Sequence, residues 1–413
     1  MKKLNKFFAI LVSLAMMATL CVSMAFATTD SEAAGALAKD ASDAKLVKYL
    51  QAGKGVTKPD ASYNFSVTST TANAAAATNT TIAKDAMNKD VNGDYIGTLT
   101  IAKMFENATW TQPGEYVYTV QETSATRVTD NTTWVDGANE TLTLDTATTY
   151  KLRVYVKNSN VSLVIDKVTV SDGTHKVDPT IVAETADAGK TEQGGNVGMS
   201  VTNTYKNNLK DTDNTDNQGL INLQKLVSGN YASKTYKFDF DLDYVLPENN
   251  NGADAVVKYK VLVGGVGEAT AGEQTATGGN ISVQLANTDK LIITQAPEGI
   301  KWSTKENLTA ATDLQNYQKY VPSVDQYGKY AEGKTAFDAG SDAETTQQIL
   351  GDTTSDGTHA APDGVVYTNT LNDSDVTPTG ILMNNLPYIA LALVAIGGLV
   401  AYVVVRRRQD DEA

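Results

Sequence analysis

The chain has 413 residues, with 48 acidic side chains against 34 basic ones, a formal net charge of -14 and one cysteine. So acidic a surface repels nucleic acid and anionic lipid, which excludes both as partners. A lone cysteine also excludes disulfide staples and thiolate metal sites, so stability has to come from another source.

Residues 1–27 are built as a secretory signal peptide. Lys2, Lys3 and Lys6 precede an apolar run from Phe7 to Val22, and small residues follow, ending "AFA" at Ala25 to Ala27. Cys21 lies inside that run, so cleavage before Thr28 leaves an exported chain without cysteine. About 350 residues then remain before the C-terminal apolar segment, enough for two or three domains with cores of their own.

Those residues alternate in twos. "YKLRVYV" (Tyr150 to Val156), "KFDFDLDYV" (Lys237 to Val245) and "VVYTNTL" (Val365 to Leu371) read as half-buried strands between turn residues, which predicts an all-β fold of sandwiches. A polar stretch, "YKNNLKDTDNTDNQG" from Tyr205 to Gly219, separates two halves. This places a first domain at 28–207, a linker at 208–219 and a second domain at 220–372.

Three signals recur in the same order in both halves. "LVKYL" around Lys48 answers to "LQKLV" around Lys225, each followed by an aromatic strand, "YNFSV" and "YKFDFDL". "PGEYVYTVQE", ending at Glu122, answers to "PEGIKWSTKE", ending at Glu306; "SVTNTY" around Asn203 answers to "VYTNTL" around Asn369. Strand parity puts each polar residue on an apolar face: Lys48 with Leu46 and Leu50, Lys225 with Leu223 and Val227, Glu122 with Tyr118 and Val120. By the same parity Glu306 shares a face with Ile300 and Trp302, Asn203 with Val201 and Tyr205, and Asn369 with Val365 and Tyr367.

Two readings of these inward trios compete. In one, each is a satisfied polar cluster, a Lys-Glu pair capped by an amide. In the other they react. An apolar surrounding strips the lysine of its proton and leaves a nucleophilic amine, and it keeps the glutamate protonated. The glutamate then polarises the asparagine carbonyl and passes a proton to departing ammonia, giving a Lys-Asn side-chain amide.

At the C-terminus, Leu386 to Val405 is an uncharged apolar run long enough to cross a bilayer, and Arg406, Arg407 and Arg408 follow. The positive-inside rule places those arginines in the cytoplasm and the body of the chain outside. Upstream stands "TPTG", Thr377, Pro378, Thr379 and Gly380. The order of motif, span and basic tail, over 373–413, resembles the cell-wall sorting signal that a sortase reads in Gram-positive surface proteins. The motif lacks the common leading leucine and looks more like the Val-Pro-Thr-Gly variants of some pilins. The other reading of this end is a plain single-pass anchor.

With these residues in view, both halves resemble the isopeptide-containing domains of Gram-positive backbone pilins, the streptococcal major pilin in particular. The resemblance implies two tandem immunoglobulin-like β-sandwich domains, each cross-linking a lysine of its first strand to an asparagine of its last under the influence of a central glutamate. Matched residue by residue, these are Lys48, Glu122 and Asn203, then Lys225, Glu306 and Asn369. The resemblance also implies cleavage between Thr379 and Gly380 by a sortase, then transfer to a lysine of an identical subunit or to cell-wall peptidoglycan. Minor pilins or an adhesive tip subunit would be further partners. The candidate acceptor is Lys190 in "AGKTEQGGNVGMSVTN", with Lys176 as its competitor.

Other chemistry is thin. His175 and His359 match no metal or triad spacing, and "VGGVGEAT" (Val263 to Thr270) lacks the third glycine and the helix of a phosphate loop. The acidic "DTDNTDNQG" lacks the sixth-position glycine of a calcium loop. No metal, cofactor or enzyme site with turnover is predicted. The expected function is that of a sortase-assembled backbone pilin at the Gram-positive cell surface; the alternative is a singly anchored adhesin built from the same domains.

Overall fold

The computed structural model describes residues 38–90, 93–160, 162–174, 176–183, 198–211, 219–253, 255–268, 272–308, 319–327, 333–350, 363–372, 388 and 390–403. It divides into two compact units. The first is drawn chiefly from Lys58–Asp136 and Leu142–Tyr205 with the strand before them; the second runs from Lys206 onward and takes in Gly53–Thr57 and Gly137–Thr141. Both are all-β.

In the first unit one sheet runs in the order Lys176–Val177, Ser162–Ser171, Thr149–Ser159, Gly114–Arg127, Ala61–Ser69 and Thr81–Ile82. A second sheet has Lys45–Gln51 at its centre, antiparallel to Tyr95–Thr100 and parallel to Ser200–Lys210. The opening strand of the unit therefore lies beside its closing strand. Threonine, valine and tyrosine, which suit a pleated half-buried surface, recur through both sheets. Their inward members Tyr63, Tyr116, Tyr118, Val120, Leu152, Val154 and Val201 are all buried.

The second unit repeats the plan. One sheet runs Gly333–Ala336, Tyr320–Tyr327, Asp363–Leu371, Ile221–Ser228, Lys290–Pro297 and Lys258–Val263, with the opening strand again parallel to the closing one. The facing sheet runs Asn280–Leu285, Phe238–Val245 and Lys301–Glu306, edged by Ala343–Glu344 and Gln348–Ile349. Leu223, Val227 and Tyr367 from one sheet and Phe238, Phe240, Leu242 and Trp302 from the other belong to a single core.

The opening strand of the first unit is buried on both faces, with Leu46, Val47, Lys48, Tyr49 and Leu50 all inside. Val47 and Tyr49 are covered on the far face by Ile96 and Ala183, and the Tyr49 hydroxyl donates to the Ala183 carbonyl at 2.7 Å. The span 208–219, read as a linker, begins as strand within the second unit: Asn208, Leu209 and Lys210 pair with Pro297, Ala296 and Gln295. At the C-terminus, residues 390–403 are helical, and among the described residues no helix is long and apolar enough to cross a membrane. The signal-peptide residues 1–27 lie outside the described residues.

Candidate functional site

The six inward polar side chains gather into two trios. In the first unit Lys48 stands opposite Val201, two places before Asn203 on the parallel neighbour. Alternate residues share a face, so the lysine and the asparagine are diagonal neighbours on the inner side of one sheet. Glu122 enters from the facing sheet. Its Oε2 accepts from Lys48 Nζ at 2.8 Å and its Oε1 from Asn203 Nδ2 at 2.9 Å. All three side chains are fully buried. A β-bulge follows Glu122 at once, since Phe65 pairs with Glu122 while Asn64 pairs with Ser124. The bulge resets the parity, so Ala125 is the next inward residue.

The second trio has the same register. Lys225 stands opposite Tyr367, two places before Asn369. Lys225 Nζ and Asn369 Nδ2 both donate to Glu306 Oε1, each at 2.7 Å. Glu306 Oε2 and Asn369 Oδ1 are buried with no hydrogen-bond partner among the described residues. This is where the two sites differ: in the first, Asn203 Oδ1 accepts the main-chain N–H of Asp145 at 2.8 Å.

The surroundings of both lysines are aromatic. Lys48 Nζ lies 5.2 Å from the Tyr63 ring centre; Lys225 Nζ lies 4.2 Å from that of Phe238 and 5.5 Å from that of Phe240. Burial penalises each ammonium and lowers both lysines to about 8, against the opposing pull of the adjacent glutamate. Burial likewise pushes Glu122 and Glu306 up, against the pull of their lysines. Both shifts act toward neutral amine and protonated carboxyl.

Of the remaining sequence candidates, Lys176 sits half-buried in a short strand pairing with Ser171. Lys190, Thr377, Pro378, Thr379, Gly380, His175 and His359 lie outside the described residues. Among the described residues no group of His, Cys, Asp and Glu side chains could hold a metal. Asp145 went unnoticed in the sequence because its contribution is a main-chain N–H that no residue type advertises.

Residues 44–208 match the family model of the Spy0128-like isopeptide containing domain, and residues 219–355 match that of a domain of unknown function, DUF7601. No curated protein matches. Among solved structures, the major pilin of Streptococcus pyogenes is 17% identical, with 80% of this chain and 99% of that one covered and a TM-score of 0.32. The T3.2 major pilin of Streptococcus pyogenes serotype GAS13637 is 16% identical over 80% of this chain and 98% of that one, with a TM-score of 0.28. A pilus-presented adhesin, Cpa, is 12% identical over 54% of this chain and 36% of its own, with a TM-score of 0.24.

Proposed function

From a first domain of the Spy0128-like isopeptide-containing kind, we propose that the chain is a structural backbone subunit of a Gram-positive surface pilus, cross-linked inside each of two domains. The observation that carries this reading is the repeated trio. Two fully buried lysines, each two ladder positions from a buried asparagine and bonded to a buried glutamate, recur in one geometry.

The chemistry follows from the contacts. The neutral amine of Lys48 or Lys225 attacks Cγ of Asn203 or Asn369, and a C–N bond forms. The amine gives up a proton to the glutamate, the glutamate returns one to Nδ2, and ammonia leaves. In the second domain a proton on Glu306 Oε2 would supply a donor, and Asn369 Oδ1 is the buried acceptor that lacks one. Each domain reacts once and turns over nothing.

The resulting amide joins first strand to last, across on the order of 150 residues. By the loop-closure argument it restricts the unfolded state by about 5 kcal/mol, and no reductant undoes it. Tension applied at the two ends of a domain then passes through a covalent bond, as a fibre requires. Domains over 28–207 and 220–372, a sortase acting between Thr379 and Gly380, and Lys190 or Lys176 as acceptor complete the reading.

The test is the intact mass of recombinant residues 28–379. The expected value is the sequence mass less two ammonia molecules, and an undiminished mass in folded protein would refute the cross-links. Wall extracts of the producing cell separate pilin from singly anchored adhesin: a high-mass ladder is expected for the pilin, and a single band would favour the adhesin.

A further inference from the structure

The two trios are not equivalent at the asparagine oxygen. Asn203 Oδ1 accepts the Asp145 main-chain N–H at 2.8 Å, whereas Asn369 Oδ1 is buried without a partner among the described residues. The donor belongs to a turn, residues 144–148, that is fixed before any reaction. The Asp145 carboxylate accepts from the main chain of Thr148 at 3.0 Å and of Ala147 at 3.3 Å, and from the Thr148 hydroxyl at 2.7 Å. Gln121, the neighbour of Glu122, donates its side-chain amide to the Thr146 carbonyl, which ties the turn to the strand that brings the glutamate.

We infer that the main-chain N–H of Asp145 is a catalytic oxyanion donor, specific to the cross-linking of the first domain. The inference rests on the cross-linking reading above. As Lys48 Nζ bonds to Asn203 Cγ, the carbonyl π pair moves onto Oδ1, which is the atom that N–H already touches. One amine proton passes to Glu122 and one returns from it to Nδ2; the carbonyl re-forms as the C–Nδ2 bond breaks and ammonia departs. A donor held in place by its own turn needs no reorganisation when the charge appears, and such a donor in a water-free site stabilises the developing anion far more than it does in water. In the second domain no donor among the described residues touches Asn369 Oδ1.

The test replaces Asp145 in the full chain by its α-hydroxy analogue, which exchanges the N–H for oxygen and keeps the carboxylate that braces the turn. Unreacted chain solubilised in urea is refolded and quenched at intervals. Each cross-linked peptide is then quantified by mass spectrometry, with the Lys225–Asn369 bond of the same molecule as internal clock. The first-domain bond is expected to form about 100-fold to 1000-fold more slowly, the range for loss of one oxyanion donor, while the second-domain bond keeps its rate. An unchanged first-domain rate overturns the assignment. Should the ester prevent folding, Thr148→Val loosens the turn with every main-chain group in place; slowing confined to the first domain supports the assignment, and no slowing overturns it. Absence of ammonia loss from both domains of the unmodified chain overturns the cross-linking reading itself, a result distinct from the others.

Discussion

Lys225 stands directly across a parallel ladder from Tyr367, and that register, rather than the lysine alone, brings its amine to Asn369 two places further on. Because side chains alternate between faces, moving the asparagine by one position turns it away from the core. The double substitution Thr368→Asn with Asn369→Thr should abolish the second-domain cross-link and leave the first intact. Peptide mapping of the purified protein checks it, and a Lys225 cross-link to position 368 would show that parity does not govern the reaction.

Glu306 holds both partners of its site through one oxygen. Glu306→Ala removes that acceptor and leaves a buried lysine unpaired, so it should cost about 3–5 kcal/mol beyond any loss of the cross-link. Glu306→Gln keeps an oxygen for the amine but no ionisable proton, and should lose the bond with a smaller stability penalty. Urea unfolding of both variants, with intact mass measured alongside, separates the two contributions.

Removing the asparagine tests the covalent contribution. Asn203→Ala should lower the stability of the first domain by about 5 kcal/mol through the missing loop closure. Recombinant residues 28–379 should unfold at the same urea concentration with and without reductant, because they contain no cysteine. A reductant-sensitive midpoint would point to some other cross-link.

The pH dependence has a definite sign. The reactive arrangement, neutral amine beside protonated carboxyl, holds one proton between two groups, as does the ion pair. Below the raised value of the glutamate a second proton converts the amine to ammonium. Above about pH 8, where burial has placed the lysines, the shared proton is lost and with it the acid. The bond-forming rate of refolding chain should therefore be greatest between the raised value of the glutamate and about pH 8 and fall on both sides. Refolding across a pH series with quantified cross-link gives the profile, and a rate that climbs steadily with alkalinity would contradict it.

Much of this arrangement is readable without coordinates, for a physical reason. A polar residue on the apolar face of an alternating strand is conspicuous, and Lys48, Glu122, Asn203, Lys225, Glu306 and Asn369 are all conspicuous in that way and all buried. What they do there is the proposal made above. The bulge beyond Glu122 is invisible because nothing in "VQETSATR" marks an extra residue until Ala125 is found inward. Burial of Val47 and Tyr49 is not legible from alternation, which marks one inner face, and here Ile96 and Ala183 cover the second. Lys290–Pro297, which pairs with the Lys225 strand, is hard to read for a related reason, as Leu291, Ile292 and Ile293 are all buried and show no alternation.

Gly229 closes the turn out of the Lys225 strand at φ +115, a conformation that side chains rarely adopt. A methyl group there would lie 2.2 Å from the main-chain oxygen of Leu371, two residues beyond Asn369. Neither backbone can yield without shifting the ladder in which Ser228 pairs with Thr370. Gly229→Ala should therefore destabilise the second domain by about 1–3 kcal/mol and lower its cross-linked fraction at a fixed refolding time, with the first domain unaffected. Gly252→Ala is the control, because a methyl group there meets nothing within 4 Å and should change stability by less than about 0.5 kcal/mol. Equal cross-linking in the Gly229 variant and its control would mean that the closing strand tolerates displacement, and that the fixed ladder register is not what sets the approach of Lys225 to Asn369.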